Sequence, residues 1–373
     1  MTLVEGARTL KKTPLYDRHV SLGGKMVDFS GWSLPVYYSS IITEHRWVRS
    51  SCGFFDVSHL GEIRVNGPGA LDLLQRRLTN DLGKCEDGRV QYTLLCDERG
   101  FTLDDILVYK AAEDDYYLIV NAANTARDLA ELKKRSPEKQ ASVEHNSRMA
   151  CIAVQGPRSE KILEKLFSFR LRTMPYYSFQ EEKCLDESVW VSRTGYTGED
   201  GFEIFSPGVL APKIWDVLVN QGKKEGALPA GLGARNTLRL EAGNPLYGHE
   251  LDEKTTPLEA GLRFVVSFDK GEFVGRNALI AQKGSNVQKR LVGFKMTDRS
   301  VPREDYTVFK GGKKVGRVTS GSFAPSVGCG IGMAFVAPGC EAPGTRLAIE
   351  IHGRKAEAEV VKRPFITLRH RKG

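Results

Sequence analysis

The 373-residue sequence contains no apolar run near the roughly 18 residues that a membrane-spanning helix requires. Its first residues, MTLVEGARTLKKTPLY, lack the apolar core of a secretory signal, and they are not the long, Ser-rich, acid-poor arm of a transit peptide. A cytosolic or already matured protein is therefore expected, and an N-terminal Met1 favours the former. The seven cysteines (Cys52, Cys85, Cys96, Cys151, Cys184, Cys329 and Cys340) are odd in number and form no CxxC pair, which argues against a disulfide scaffold or a zinc ribbon. They read as buried, reduced thiols. The seven histidines form no HxH or HExxH, so no metal site is expected. No fixed-period repeat or low-complexity stretch is evident. With 41% hydrophobic and 27% charged residues, the chain is neither disordered, collagen-like nor a coiled coil. At roughly 150 residues per domain it has room for two or three domains.

What is present begins with charge. Lys and Arg number 54 against 46 Asp and Glu, a net charge of +8. The basic residues fall in short clusters: Lys133-Lys134-Arg135, Lys223-Lys224, Lys313-Lys314 and the tail from Lys362 to Lys372. None is long enough for a nucleic-acid arm or interleaved with aromatics as stacking platforms, so neither nucleic acid nor membrane is expected as a partner. Solvated surface accounts for most of them, and the remainder suits an anionic small molecule or an acidic protein.

The pattern from Tyr92 to Asn121 predicts a three-strand meander over Tyr92–Cys96, Leu103–Lys110 and Tyr116–Val120, with turns at Asp97-Glu98-Arg99-Gly100 and Glu113-Asp114-Asp115. Helical spacing follows Gly67-Pro68-Gly69 (Ala70, Leu73, Leu74, Leu78) and Gly156-Pro157 (Ile162, Leu163, Leu166, Phe167). A third helix is predicted over Pro212 to Val219. Without a steady β-α alternation, an α+β fold with antiparallel sheets is expected. Residues Gln288 to Leu368 change texture to six short apolar runs broken by Gly and Pro, which predicts a small β-barrel or sandwich and a boundary near Gln282 to Asn286.

Three stretches carry candidate chemistry. In Leu103-Asp104-Asp105-Ile106-Leu107-Val108-Tyr109, strand alternation puts Asp105 with Leu103, Leu107 and Tyr109, and Asp104 with Ile106 and Val108. At least one carboxylate should then sit among apolar groups, where burial raises its pKa as proton chemistry requires. The alternative is that both merely end the Arg99-Gly100 hairpin. In SRTGYTGEDGFE (Ser192 to Glu203), glycines and acids make a turn without the Lys-Ser/Thr ending of a phosphate loop. Glu203 lies in the apolar strand that follows and needs a partner there, either an arginine or the N–H groups of a ligand. In GLGARNTLRLEAG (Gly231 to Gly243), a helix opened by glycines and stopped by Gly243 sets Arg235 and Arg239 on one face, suited to carboxylates. Glu241 or Asp252-Glu253 could equally neutralise them. The GxG here and that between Gly328 and Gly332 are weak dinucleotide signals, since neither opens a long βαβ unit.

Together with Lys12-Thr13-Pro14-Leu15-Tyr16, Gly24–Trp32, Phe55-Asp56-Val57-Ser58-His59, Val120–Asn124, Leu246-Tyr247-Gly248, Thr319–Phe323 and Lys362-Arg363-Pro364-Phe365, these stretches resemble, in order and over nearly the whole chain, the aminomethyltransferase family, the T-proteins of the glycine cleavage system. The resemblance implies an α+β cloverleaf of three domains: residues 1–52 with 148–282, a ferredoxin-like unit of residues 53–147, and a C-terminal β-barrel of residues 283–373. It implies transfer of the methylene carbon from an aminomethyl group on the lipoyl arm of H-protein to tetrahydrofolate, giving 5,10-methylenetetrahydrofolate, ammonia and the dihydrolipoyl arm. By the same resemblance Asp105 is the catalytic aspartate near nitrogen-10 of folate, Glu203 grips the pterin, and Arg235 contacts the folate. Tyr92, Asn121 and Tyr196 line the pterin and benzoyl pocket, Leu60 and Leu107 lie in the folate pocket, and Arg369 lies by the glutamate end. No metal is implied. The partners implied are lipoylated H-protein and folate, with a monomer outside transient complexes, in a bacterial cytoplasm or a mitochondrial matrix.

Three departures stand out. Leu60 replaces a frequent Met, and Ala324 a frequent Ser. Asn236 replaces a common Asp, which removes a possible partner for an arginine. Rival readings are a folate-dependent demethylase on the same fold and a non-enzymatic folate-binding protein of the iron–sulfur assembly branch. The Cys-containing motif of that branch (KGCYxGQE-like) is missing here.

Overall fold

The computed structural model describes residues 9–134, 140–147, 149–283 and 287–370. Met1, Arg135, part of the expected boundary at Gln282 to Asn286, and the last three residues of the basic tail lie outside these. The alternating stretch from Tyr92 folds as the expected meander: Arg89–Cys96, Thr102–Ala112 and Asp115–Val120 pair antiparallel in chain order. Gly61–Asn66 and Ser142–His145 complete a five-stranded antiparallel sheet. Its apolar face, with Ile63, Val65, Ile106, Val108 and Leu118, packs against Leu73 and Leu74 of the helix Ala70–Arg77 and Leu132 of the helix Thr125–Lys134.

A second sheet runs Phe179–Cys184, Glu187–Ser192, Gly201–Pro207, Met149–Gln155, Cys52–Asp56, Ala227–Pro229, with only the last pair parallel. The chain leaves this sheet after Asp56, builds the five-stranded sheet, and returns at Met149. The strand Cys52–Asp56, which straddles the expected limit between residues 52 and 53, pairs wholly within the six-stranded sheet. The helix expected over Pro212 to Val219 extends from Ala211 to Glu225. Pro212 sits where no N–H partner is needed, Lys223 and Lys224 face the negative end of the dipole, and Gly226 at φ 71° ends the helix in a left-handed turn. Its buried stripe of Ile214, Trp215, Leu218 and Val219 covers Phe54, Phe202 and Ile204, and burying each aliphatic side chain contributes about 2 kcal/mol. Gly222 lets this helix touch the sheet: a Cβ there would lie 2.6 Å from the Phe54 ring. By contrast, the helix expected through Phe167 is only Ser159–Leu163. Leu166 and Phe167 continue as turns that bond back to the Leu163 carbonyl, so their burial comes from the turn.

All six apolar runs after Gln288 become strands of one closed antiparallel barrel, in the order Arg290–Met296, Cys329–Val336, Lys313–Ala324, Thr307–Lys310, Arg346–Ile351, Arg354–Val361. Closure removes the unpaired edges that strands this short would otherwise expose. The fold is thus α+β, with mixed α/β layers on mostly antiparallel sheets and a C-terminal barrel. All seven cysteines are free, six of them buried. No described helix is long and apolar enough to cross a membrane.

Candidate active site

Strand alternation sends Asp104 and Asp105 to opposite faces of Thr102–Ala112, well beyond the Arg99-Gly100 turn and inside the ladder. The hairpin-end alternative is therefore excluded. Asp104 goes into the apolar face beside Ile106 and Val108 and is fully buried. It survives there because three N–H groups point at it: Asn121 N at 3.0 Å, Asn121 Nδ2 at 2.7 Å and Asn124 Nδ2 at 2.6 Å. Asp105 opens onto a cavity of about 950 Å³. Its Oδ2 accepts from Tyr92 Oη at 3.0 Å, a diagonal neighbour on Arg89–Cys96, and its Oδ1 from Asn121 Nδ2 at 2.8 Å. Burial first, and the Asp104 charge second, push Asp105 up to about 7, in the range where a carboxyl exchanges protons at neutral pH.

Glu203 occupies the centre of Gly201–Pro207, opposite Ala153 and Ser192. Phe202 and Ile204 turn into the sheet's core, and Glu203 and Phe205 turn toward the cavity. The hydrogen-bond partner present is neither an arginine nor a ligand N–H but a hydroxyl, that of Thr194, which donates to Glu203 Oε2 at 2.5 Å. Burial raises this carboxyl, while the Thr194 hydrogen bond and the Arg235 charge pull the other way. Arg235, on the helix Leu232–Glu241, makes no hydrogen bond through its guanidinium with any described residue. Its guanidinium lies over the Tyr196 ring at 4.7 Å, and burial lowers its pKa from the ordinary value.

Arg239, four residues on, is engaged internally: by Glu250 at 3.0 Å, Ser320 Oγ at 2.9 Å and Asn236 Oδ1 at 2.8 Å. The expected neutralising acids serve elsewhere. Glu241 pairs with Arg49 at 3.0 Å, Glu253 pairs with Arg127, and Asp252 accepts from the Lys254 backbone N–H at 2.9 Å. Asn236 does not leave an arginine without a partner, because its amide oxygen accepts from Arg239 as a carboxylate would.

Tyr92, Asn121, Tyr196, Leu60 and Leu107 join Asp105, Glu203 and Arg235 on the one cavity wall. Arg369 does not. Its guanidinium turns to the Arg49 carbonyl at 3.2 Å and lies 3.9 Å from Glu199, while its neighbours Leu368 and His370 line the cavity. The reason is a backbone clip, Arg369 N to the Gly198 carbonyl at 2.8 Å, which fixes which way alternate residues of the tail face.

Residues that pattern reading passed over also reach the site. His59 is nearly fully buried on the cavity wall, with Nδ1 unpartnered among the described residues and its pKa lowered to about 4 by burial and then by Arg235. Tyr176 and Tyr177 line it too, the latter at φ 60°. His59 stands at the end of the DVSH stretch just beyond a strand, where a polar residue after an apolar run is a usable signal. Tyr177 carries no such mark.

Much of SRTGYTGEDGFE is scaffold. Arg193 forms a two-bond pair with Asp200 at 2.6 and 3.0 Å and caps the Met174 carbonyl at 2.8 Å. Thr197 bonds Gln155 at 2.9 Å, and Glu199 bonds Arg49 at 3.0 Å. Gly195 has no room for a side chain, since a Cβ would lie 2.0 Å from Gln155 Oε1. The turn exists to hold Tyr196 and Glu203 toward the cavity.

Residues 15–270 match the GCVT N-terminal domain, and residues 289–366 match the glycine cleavage T-protein C-terminal barrel domain. Aminomethyltransferases of Moorella thermoacetica and Halothermothrix orenii are 48% and 45% identical to this chain, covering 95% and 96% of it and 98% and 100% of their own lengths. The crystal structure of glycine cleavage system aminomethyltransferase T from Bartonella henselae superposes with a TM-score of 0.91 at 32% identity, over 97% of this chain and 99% of that one. Fold and site therefore define a transferase of the aminomethyltransferase type. The chain belongs to the T-protein family of the glycine cleavage system, whose members are its aminomethyltransferases.

Proposed function

We propose that the cavity binds tetrahydrofolate as carbon acceptor and receives the aminomethyl-bearing lipoyl arm of H-protein as donor. The observation that carries this is the pairing of two inward carboxyls in one cavity, Asp105 with a pKa near 7 and Glu203 held by the Thr194 and Tyr109 hydroxyls. A reduced pterin fits that donor set. It offers adjacent N–H groups to the free lone pairs of Glu203, and its flat ring suits the Leu60, Leu107 and Tyr196 surfaces. Arg235, held over Tyr196 with no internal partner, is suited to a carbonyl or carboxylate further along the folate. Arg369, whose guanidinium turns away from the cavity to the Arg49 carbonyl, is assigned to the glutamate end only as an attraction at longer range.

In the reaction, two bonds from folate nitrogens to the methylene carbon form while its bonds to nitrogen and sulfur break. The two protons displaced from the folate nitrogens end on ammonia and on the dihydrolipoyl thiol. Asp105 accepts one such proton and returns it to a leaving group. Tyr92 and Asn121 hold its carboxyl in place, so positioning supplies most of the rate.

Purified protein mixed with aminomethylated H-protein and tetrahydrofolate should release ammonia and form 5,10-methylenetetrahydrofolate. No ammonia with fully loaded carrier, or equal release without folate, contradicts the reading.

A further inference from the structure

Behind Asp105 lies a second carboxyl that the proposed reaction does not use. Asn121 and Asn124, at the end of Asp115–Val120, and Asp128, in the first turn of Thr125–Lys134, are spaced three and four apart, so all three turn toward Asp104. Asp128 is fully buried, and neither of its oxygens receives a hydrogen bond from an N–H or O–H donor of the described residues. Asp104 lies within hydrogen-bonding reach of it. Two buried carboxyls in contact cannot both be charged. Their donors decide which one is: Asp104 takes three N–H groups at 2.6 to 3.0 Å, whereas Asp128 has only the Arg127 Nε at a long 3.7 Å. A carboxylate has about four lone-pair positions, so one on Asp104 is left for an O–H.

We propose that Asp128 is a positioning residue for the transfer: it keeps a proton, donates it to Asp104, and so maintains Asp104 as the charged group against which Asp105 holds its own proton. Asn121 Nδ2 bridges the two, at 2.7 Å from Asp104 Oδ1 and 2.8 Å from Asp105 Oδ1. Burial first, then the Asp104 charge, push Asp128 up to about 10, in agreement with this assignment. The other charged group facing Asp128 is Arg127, whose Nε lies 3.7 Å away, and the rest of that guanidinium is taken by Glu253, Tyr247 and the Leu103 carbonyl. Around Asp105 the facing titratable groups are Asp104, Tyr92, Tyr177 and Tyr196.

This proposal rests on Asp105 being the proton-handling group, but its test needs neither folate nor H-protein. Aspartate carboxyl carbons are followed by 13C NMR in the whole protein, assigned through the backbone, as pH is varied. Asp128 should stay at the protonated position from about pH 6 to about pH 8. The Asp105 midpoint, near 7, should fall by about one unit or more in Asp104→Asn and in Asp128→Leu. In Asp128→Asn it should hold, because the amide N–H replaces the O–H donor to Asp104. An ionised Asp128 at neutral pH, an Asp105 midpoint unmoved in Asp104→Asn, or an equal fall in Asp128→Asn and Asp128→Leu would each overturn the proposal. Should the Leu variant fail to fold, the wild type and the two Asn variants decide it. Absence of ammonia release from the wild type would instead count against the folate reading and leave these midpoints as they are.

Discussion

Asp104 and Asp105 differ by one position on a strand and by everything in environment: one is closed in by three amide donors, and the other looks into the cavity. Asp105→Asn conserves volume and removes the exchangeable proton, so kcat should fall by about 100-fold or more while the folate Kd holds. Steady-state kinetics with isothermal titration of folate would check this, and unchanged turnover would refute the role. The same substitution should alter stability with a definite sign. Asp105 is raised from 3.8 to about 7 in the folded chain, so between those values the folded state keeps a proton that the unfolded state releases. Stability is therefore lost as pH rises through that window. Replacement by Asn should raise the thermal midpoint at about pH 8 but leave it little changed near pH 4, as followed by calorimetry. Glu203→Ala should weaken folate binding by about 10-fold or more, because a buried acceptor for ligand N–H groups is lost. An unmoved folate Kd would dismiss the grip on the pterin. At this scale the sequence marked Asp105 and Glu203 through their carboxylates in apolar, alternating strands. It did not mark Thr194 as the partner of Glu203, or Asn124 and Asp128 as the partners of Asp104, since those come from a loop and a helix start whose approach no strand period encodes.

Elements were legible where one period ran unbroken between turn residues. The meander and all six barrel strands came out in place because alternation, Gly and Pro agree there. The Ser159–Leu163 helix fell short of its apolar pattern, since turns can bury Leu166 and Phe167 as well as a helix can. Gly222 lies inside a helix, where sequence alone reads it as a weakness. The structure shows it as the contact point with Phe54 and with the Ala227 carbonyl oxygen, which an added methyl carbon would approach to 2.8 Å. Gly222→Ala should therefore destabilise by about 1–3 kcal/mol despite alanine's better helix propensity, read as a lowered midpoint in urea. A stabilised variant would show that the helix can lift off the sheet at little cost.

Across the whole molecule, the cavity is bounded by the five-stranded sheet through Asp105, the six-stranded sheet through Glu203, and the segment after the barrel through Arg363 and Pro364. The strand Cys52–Asp56 pairs wholly within the six-stranded sheet, so the three-unit division remains our proposal with its first limit drawn after Asp56. The +8 charge should favour docking of an acidic carrier protein. The KM for H-protein should then rise with salt as the screening length shrinks toward about 8 Å near physiological ionic strength, and a flat response would remove charge from the docking account.

Sequence by itself determined the antiparallel α+β class, the barrel, the family resemblance and the carboxylates at the centre of the site, because these depend on residue type and on periods within a single element. Strand and helix periods left open which of two adjacent aspartates meets the cavity and which of the helix-mates Arg235 and Arg239 has a guanidinium without a hydrogen-bond partner among the described residues. The resemblance pointed to Asp105 and Arg235, and tertiary structure supplied the reason, as it also decided that Arg369 turns away. Each of those outcomes depends on donors and charges brought from distant segments, whose arrival is set by packing rather than by local pattern.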